Sequence, residues 1–435
     1  MKKRLGALAL ALALMFALGV NAMSADGNAA EPIAKTVEAD DTAEMTDAAA
    51  AEDAAGVMPS AQPDAEGTLS FANLRGRMLE SYYPLLALEE NIKTLEEWDY
   101  QRTEDELRDQ LNGIANQQWG MIAGDTLGLG IGSMMAASLQ PQYNAYRDAF
   151  DDVRDGKLQK DNEGVKHQLR NLQDQAVIVA ESLYITYKGL EAQDAALSRT
   201  LAALSRTEKE MSLRRELGQI SALTVQQAST GRAQAESRQK TLRMNMDNIL
   251  LQIKAMAGAE LGADFTLSAL PTVTARQLAD MDLEADLAKA REASYELYDA
   301  KKVYDDAKKA YDDALKEYGV YSKKNEWMQA KHTWQAAQYT YENAKQSYEL
   351  KFRTLYAQVK DCAQVLESAR VSLSAQELSY AASVLKHEQG SISANALADA
   401  RDELMSAKDS VAIAERDLFS QYRSYYWAVE CGILN

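Results

Sequence analysis

The sequence predicts an all-α protein built from long antiparallel helical hairpins and coiled coils in two tandem structural repeats, with little or no β structure. Three observations carry that reading. A turn motif is written twice, as Leu217-Gly218-Gln219-Ile220-Ser221-Ala222 and as Gln389-Gly390-Ser391-Ile392-Ser393-Ala394, and the shared Gly-x-Ile-Ser-Ala marks an internal duplication. Each copy is followed by small and apolar residues in one phase of three-four spacing: Val225, Ala228, Ala235, Leu242 and Ile249 in the first, Leu397, Ala400, Ala407, Val411 and Leu418 in the second. Such spacing, sustained over several heptads, is a coiled-coil seam. Finally, 435 residues contain only six prolines and six phenylalanines, with 46% hydrophobic residues, a composition of long helices rather than of a mixed sheet.

Taken in chain order, residues 1–22 read as an export signal. Lys2, Lys3 and Arg4 precede an apolar run from Leu5 to Val20, and Val20-Asn21-Ala22 supplies the small residues that cleavage needs. The exported chain then starts near Met23 and belongs to the cell envelope. Residues 23–68 are dominated by Ala, Asp and Glu. They hold too few large apolar groups to offset the entropy of ordering, so a disordered acidic linker is expected.

The first repeat is placed at 69–262. A helix opens near Phe71, meets a boundary or kink at Tyr83-Pro84, and continues toward Gln118. Helix resumes by Lys166 and runs through Val177, Ala180, Tyr184 and Leu197 to the Gly218 turn, and the return helix ends near Gly258 and Gly262. In each turn the glycine supplies the left-handed backbone that closes one helix, while Ser221 or Ser393 caps the next. A loop at 263–276, containing Pro271, joins the repeats. The second repeat, 277–435, holds two adjoining heptads, Lys301 to Ala307 and Lys308 to Ala314. Beyond Gly319 the series Ala330, Trp334, Ala337, Tyr341, Ala344, Tyr348 completes a hairpin pointing away from the Gly390 turn.

Charge and chemistry narrow the function. A net charge of −18 repels a phosphate backbone, so nucleic acid is not a partner. His167, His332 and His387 are scattered, Cys362 and Cys431 lack metal-ligand spacing, and no nucleophile motif is present. The chain is therefore expected not to be an enzyme and to need no metal or cofactor. The two cysteines flank the Gly390 turn at unequal distances, about 20 Å apart in height at 1.5 Å per helical residue, so free thiols are expected.

Residues 120–140 of the first repeat form a glycine-rich tip. Gly120, Gly124, Gly128, Gly132 and Ala136 recur every four residues, a zipper that makes one smooth face if the segment is helical. With Met121, Ile122, Leu127, Ile131, Met134 and Met135, the stretch approaches the ~20 residues that cross a bilayer. It reads either as a membrane-contacting or self-associating tip at 120–139 or as a glycine-rich connector, and Leu127 to Gly132 also permits one short strand.

An opening helix with Tyr83-Pro84-Leu85, two copies of a helix pair, and a duplicated Gly-x-x-Ser turn, spread over Phe71 to Asn435, resemble the TolC-like outer-membrane efflux factors. The resemblance implies a homotrimer whose helices close into an α-barrel. It also implies a passive efflux or export conduit working with a periplasmic-type adaptor (a membrane fusion protein) and an inner-membrane or plasma-membrane transporter. By that resemblance the adaptor-docking tip comprises Leu217, Gly218, Gln219, Ile220, Gln389, Gly390, Ser391 and Ile392. A location in the outer membrane or periplasm follows if the cell has two membranes, and on the extracytoplasmic face otherwise.

Two departures matter. The aspartate that family members often carry six residues after the tip glycine is replaced by Thr224 and Ala396, and His387 and Ile392 stand where the second turn would hold latch residues. No salt-linked gate is expected. The family's β-barrel strands, each about 9 to 11 residues of alternating pattern, have no counterpart between Lys316 and Met328, so the barrel is expected to be missing. A non-transporting coiled-coil structural or spacer protein of the cell envelope is the alternative reading.

Overall fold

Two long helical hairpins, each closed by one of the duplicated turns, dominate the computed structural model, which describes residues 64–65, 67–124, 130–318 and 325–434. The export signal and the linker before Asp64 lie outside the described residues. The first hairpin is α6, Lys157–Glu216, with α7, Ala222–Met256. The second is α11, Asn325–Glu388, with α12, Ala394–Cys431. At 1.5 Å per residue, α6 is about 90 Å long and α11 about 96 Å.

Shorter elements lead into each hairpin. Before α6 come α1, Phe71–Ser81, α2, Tyr83–Glu96, α3, Tyr100–Ala123, α4, Ile131–Ser138, and α5, Gln140–Arg154. Before α11 come α8, Ala275–Ala279, α9, Leu283–Ala293, and α10, Tyr295–Tyr318. Strand content among the described residues is limited to β1, Thr68–Leu69, paired in parallel with β2, Thr266–Leu267.

The break at Tyr83-Pro84 is where the sequence places it. Tyr82 is extended and Pro84 sits in the first turn of α2, where a missing N–H costs nothing. A second break, at 97–99, was not predicted: Asp99 caps α3 by accepting the Arg102 N–H at 2.9 Å. Helix also resumes earlier than Lys166, because α5 fills 140–154 and Gly156, at φ 73°, turns the chain directly into α6. The segment 263–276, expected as loop, holds β2 and the first residues of α8.

The four rods lie in the order α7, α6, α12, α11. Antiparallel register between α6 and α12 is set by ion pairs one heptad apart: Arg199 meets Asp409, and Arg206 meets Asp402. Gly218 lies twelve residues beyond Arg206 and Gly390 twelve before Asp402, so both turns stand at the same height. Asn395 reaches Glu210 at 3.3 Å close to that end. Farther up, Arg423 of α12 makes a buried two-pronged pair with Glu181 of α6, at 2.6 and 2.9 Å, and the Trp427 indole N–H donates to the same carboxylate at 2.8 Å.

Apolar packing flanks this joint on both sides. One cluster gathers Phe71, Leu74, Met78, Leu85, Val177, Ile253, Phe419 and Trp427. The other gathers Leu287, Phe352, Val359, Leu418, Tyr425 and Ala428. Two buried tyrosines use their hydroxyls as internal ties: Tyr184 lies 2.9 Å from the Leu69 carbonyl and 2.8 Å from that of Ser268, and Tyr348 lies 3.0 Å from that of Ala290 and 3.1 Å from that of Gly432.

Gly432 closes α12 at φ 67°, and a Cβ there would lie 2.3 Å from the backbone of Ser294. Gly390 has a similar φ of 69° but open space around it. Gly432→Ala should therefore cost well over the ~1 kcal/mol expected of Gly390→Ala, which carries only the left-handed backbone penalty. Denaturant unfolding of the two variants reads the difference directly.

Candidate functional site

At each turn the backbone closes in the same way. Gly218, at φ 73°, donates to the Arg215 carbonyl at 2.8 Å, and Gln219 donates to that of Arg214 at 2.9 Å. Gly390 donates to His387 at 2.8 Å and Ser391 to Lys386 at 2.8 Å. This crossed pair of bonds satisfies carbonyls that a helix end leaves free. The next helix is then capped: Ser221 accepts from Thr224 N–H at 3.2 Å and Ser393 from Ala396 N–H at 3.1 Å. Thus Thr224 and Ala396 contribute their backbone to the caps, and the His387 ring nitrogen lies 3.1 Å from the Ile392 carbonyl.

What the tip offers outward is apolar and amide surface beside charges of both signs, Arg214, Arg215 and Lys386 with Glu216 and Glu388. Leu217, Gln219, Gln389 and Ser391 are exposed, and Ile220 and Ile392 are half-buried. Leu213, Leu223 and Leu385 stand exposed beside them. Arg214, Arg215, Lys386 and His387 occupy the final turns of the descending helices, where they oppose the negative end of the helix dipole. Such a surface can dock a partner. Nothing in it activates a nucleophile, and at the far end of α12 burial, with Asp174 nearby, pushes the Cys431 thiol up to about 12. Both cysteines are free.

The glycine repeat does not run along one helix. Gly120 belongs to α3 and Gly124 closes it, while Gly132 and Ala136 belong to α4 beyond Gly130 at φ 73°. Gly128 lies outside the described residues. The glycines are thereby divided between the end of the 24-residue α3 and the 8-residue α4, and no helix among the described residues is long and apolar enough to cross a membrane.

The structure also brings forward residues that the sequence analysis passed over. On the side of α7 turned away from α6, Leu223, Thr230, Ser237, Met244 and Leu251 are exposed at seven-residue intervals, with uncharged Gln227, Gln234, Thr241 and Asn248 between them. On α11, Leu385, Leu378, Val371, Gln364 and Ala357 form a second exposed heptad row, with Ala382, Ala375 and Ser368 between them. A solvated face normally carries charge; along these two rows the single charged position is Asp361, between Gln364 and Ala357. Counted from their own turn glycine, the members of each row stand at the same five distances. The signal was present in the sequence as a second three-four phase, hidden because threonine, serine and glutamine pass for ordinary surface.

No protein-family model and no curated protein matches the sequence. Solved structures do. The outer-membrane channel OprN superposes with a TM-score of 0.52 at 14% identity, covering 84% of this chain and 90% of that one. The chain shares the OprN fold. CusC, described in connection with folding and transmembrane channel formation, is similar at 12% identity and a TM-score of 0.49, over 83% of this chain and 96% of its own. A membrane protein from Pseudomonas aeruginosa reaches 0.47 at 13% identity, over 81% and 89%. Where the family's barrel strands are expected to be missing, the described residues form helical hairpins: α3 against α4 and α5 in the first repeat, α10 against the start of α11 in the second.

Proposed function

We propose that this chain is one protomer of a TolC-like export conduit, a ring of three copies whose rods enclose a passive channel in the cell envelope. The matched heptad rows on α7 and α11 support this reading. These two helices are the outer edges of the four-rod layer, so an edge of one copy is free to meet the opposite edge of the next. A heterologous contact of this kind closes into a ring when successive rotations return to the start. Rotation about one axis keeps every atom at its own height, and each α7 row position therefore faces the α11 position equally far from its turn. The pairs are Leu223 with Leu385, Thr230 with Leu378, Ser237 with Val371, Met244 with Gln364 and Leu251 with Ala357. Most set a larger side chain against a smaller one, which is how close-packed helix seams interdigitate.

In such a ring the turns at Leu217 to Ile220 and Gln389 to Ile392 of every copy gather at one rim. That rim docks a periplasmic-type adaptor, and a membrane transporter coupled to the adaptor supplies the energy. The spacer alternative is separated from the conduit by dye export. In cells deprived of this gene, restoring it should restore efflux of a fluorescent substrate, and Gln219→Asp with Gln389→Asp at the rim should reduce efflux while leaving the ring assembled. Efflux indifferent to the presence of the protein would leave the spacer as the reading.

A further inference from the structure

The end of the α3–α5 hairpin is used neither by the turns nor by the edges. α3 and α5 run antiparallel: the Arg108 guanidinium sits 5.7 Å from the Phe150 ring centre toward the base, and the Gln118 amide lies 3.2 Å from the Ala136 carbonyl and 3.3 Å from the Gln140 side-chain oxygen toward the free end. The base is tied to the start of α6 by Asn162 and Tyr100, at 2.9 Å. A hairpin of about 36 Å rooted on a rod of about 90 Å leaves its end tens of ångströms from Gly218 in any orientation.

At that end Trp119 is 70% exposed, Ile122 44%, Ile131 57%, Met134 78% and Met135 53%. Behind it the chain changes character in bands. Between Asp109 and Arg147 the only charged residue is Asp125, in a protein that is 26% charged. Gln110, Asn116 and Gln117 on α3 and Gln140, Gln142 and Asn144 on α5 form an uncharged amide collar, and Glu106, Arg108, Asp109, Arg147 and Asp148 begin a charged stem. The two helices change bands together, as the Gln118–Gln140 contact shows.

The geometry points to a shallow lipid-bilayer anchor: the exposed apolar end formed by Trp119, Ile122, Ile131, Met134 and Met135 inserts into one leaflet of a membrane. The order of bands is that of a bilayer surface, with charge in water, amides and an indole at the headgroups, and aliphatic groups beneath them. The apolar stretch covers only a turn or two of helix, about 10 Å, against a hydrocarbon core of about 30 Å, so it enters without crossing. With one acid, Asp125, and no base in this band, and a chain that is acidic overall, nothing draws the end to anionic lipid; the attraction is apolar and the fitting surface is neutral lipid. This inference does not rest on the conduit.

Flotation of the chain beginning at Met23 with neutral phosphatidylcholine vesicles tests it. Wild type is expected to float equally at low and high salt, and Ile131→Glu with Met134→Glu to weaken partitioning by at least about tenfold. Both side chains are exposed, so circular dichroism of that variant should match wild type. Val303→Glu with Tyr339→Glu, on the exposed surface of the other hairpin, should float like wild type. Failure of wild type to float, equal flotation of the Ile131→Glu, Met134→Glu variant, or equal loss in the other-hairpin variant overturns the proposal. So does lipid-free end-to-end pairing of wild type, abolished by the tip variant, without flotation; that outcome assigns the end to a second copy.

Discussion

Val371→Asp should yield a folded, helical chain that no longer assembles. Val371 is 64% exposed in the protomer and belongs to neither apolar cluster, so replacing it leaves protomer stability nearly unchanged. In the ring it would face Ser237 of the neighbouring copy in a row that contains no base to pair with it. Leaving a carboxylate dry and unpaired at an interface costs about 2 to 5 kcal/mol, and ring closure repeats that cost at every junction. Sedimentation velocity should report a monomer, and dye export should fall with it. Leu366→Asp, five residues earlier on the same helix, makes the contrast. Leu366 is 7% exposed and belongs to the second apolar cluster, so its replacement should unfold the protomer. An assembled ring carrying Val371→Asp would show that the heptad rows are plain surface.

Arg423→Ala should be the most damaging single truncation at the joint between the repeats. It strands Glu181, a buried carboxylate left with only the Trp427 N–H, and removes a guanidinium whose centre lies 4.4 Å from the Tyr426 ring centre and 5.3 Å from that of Trp427. Breaking one side of a buried pair costs about 3 to 5 kcal/mol. Arg423→Met combined with Glu181→Leu removes both charges, so it should recover most of that loss. Chemical denaturation of the two variants checks both the size and the recovery. A cost below about 1 kcal/mol for the alanine variant would mean that Glu181 finds another partner or water.

Much of the architecture was legible because it depends on local signals. The two turns each need a residue at positive φ followed by a capping serine, and Gly-x-Ile-Ser-Ala writes both requirements in five letters. Pro84 announces the start of α2 for the same reason. The break at 97–99 has neither glycine nor proline, and Asp99 acts there only through a cap that many aspartates could make. Gly164 shows the limit of glycine as a local signal. It lies inside α6 because the Tyr298 ring and Lys302 side chain of α10 pack over it, within 3.4 to 3.8 Å of where a Cβ would stand, so it is a close approach rather than a stop.

The candidate site divides along the same line. The turn geometry at Gly218 and Gly390 is local and legible in the sequence; the edge rows are defined by what fails to cover them, which appears only once α6, α12 and the shared height of the turns are known. The four-residue glycine period from Gly120 to Ala136 shows the reverse hazard. A repeat that would fit one helix is divided at Gly130, and the connector reading needs no continuous helix.

Inter-protomer disulfide formation between Ser237→Cys and Val371→Cys, in a chain whose Cys362 and Cys431 are replaced by serine, measures the ring most directly. Both positions lie nineteen residues from their turn glycine, and a bridge requires their Cβ atoms within about 4.5 Å. Mild oxidation should link copies into a closed three-membered species, while Ser237→Cys with Gln364→Cys, one heptad out of register, should stay uncrosslinked. Monomers after oxidation of the in-register pair, or equal crosslinking of both pairs, would contradict a lateral ring built from these edges.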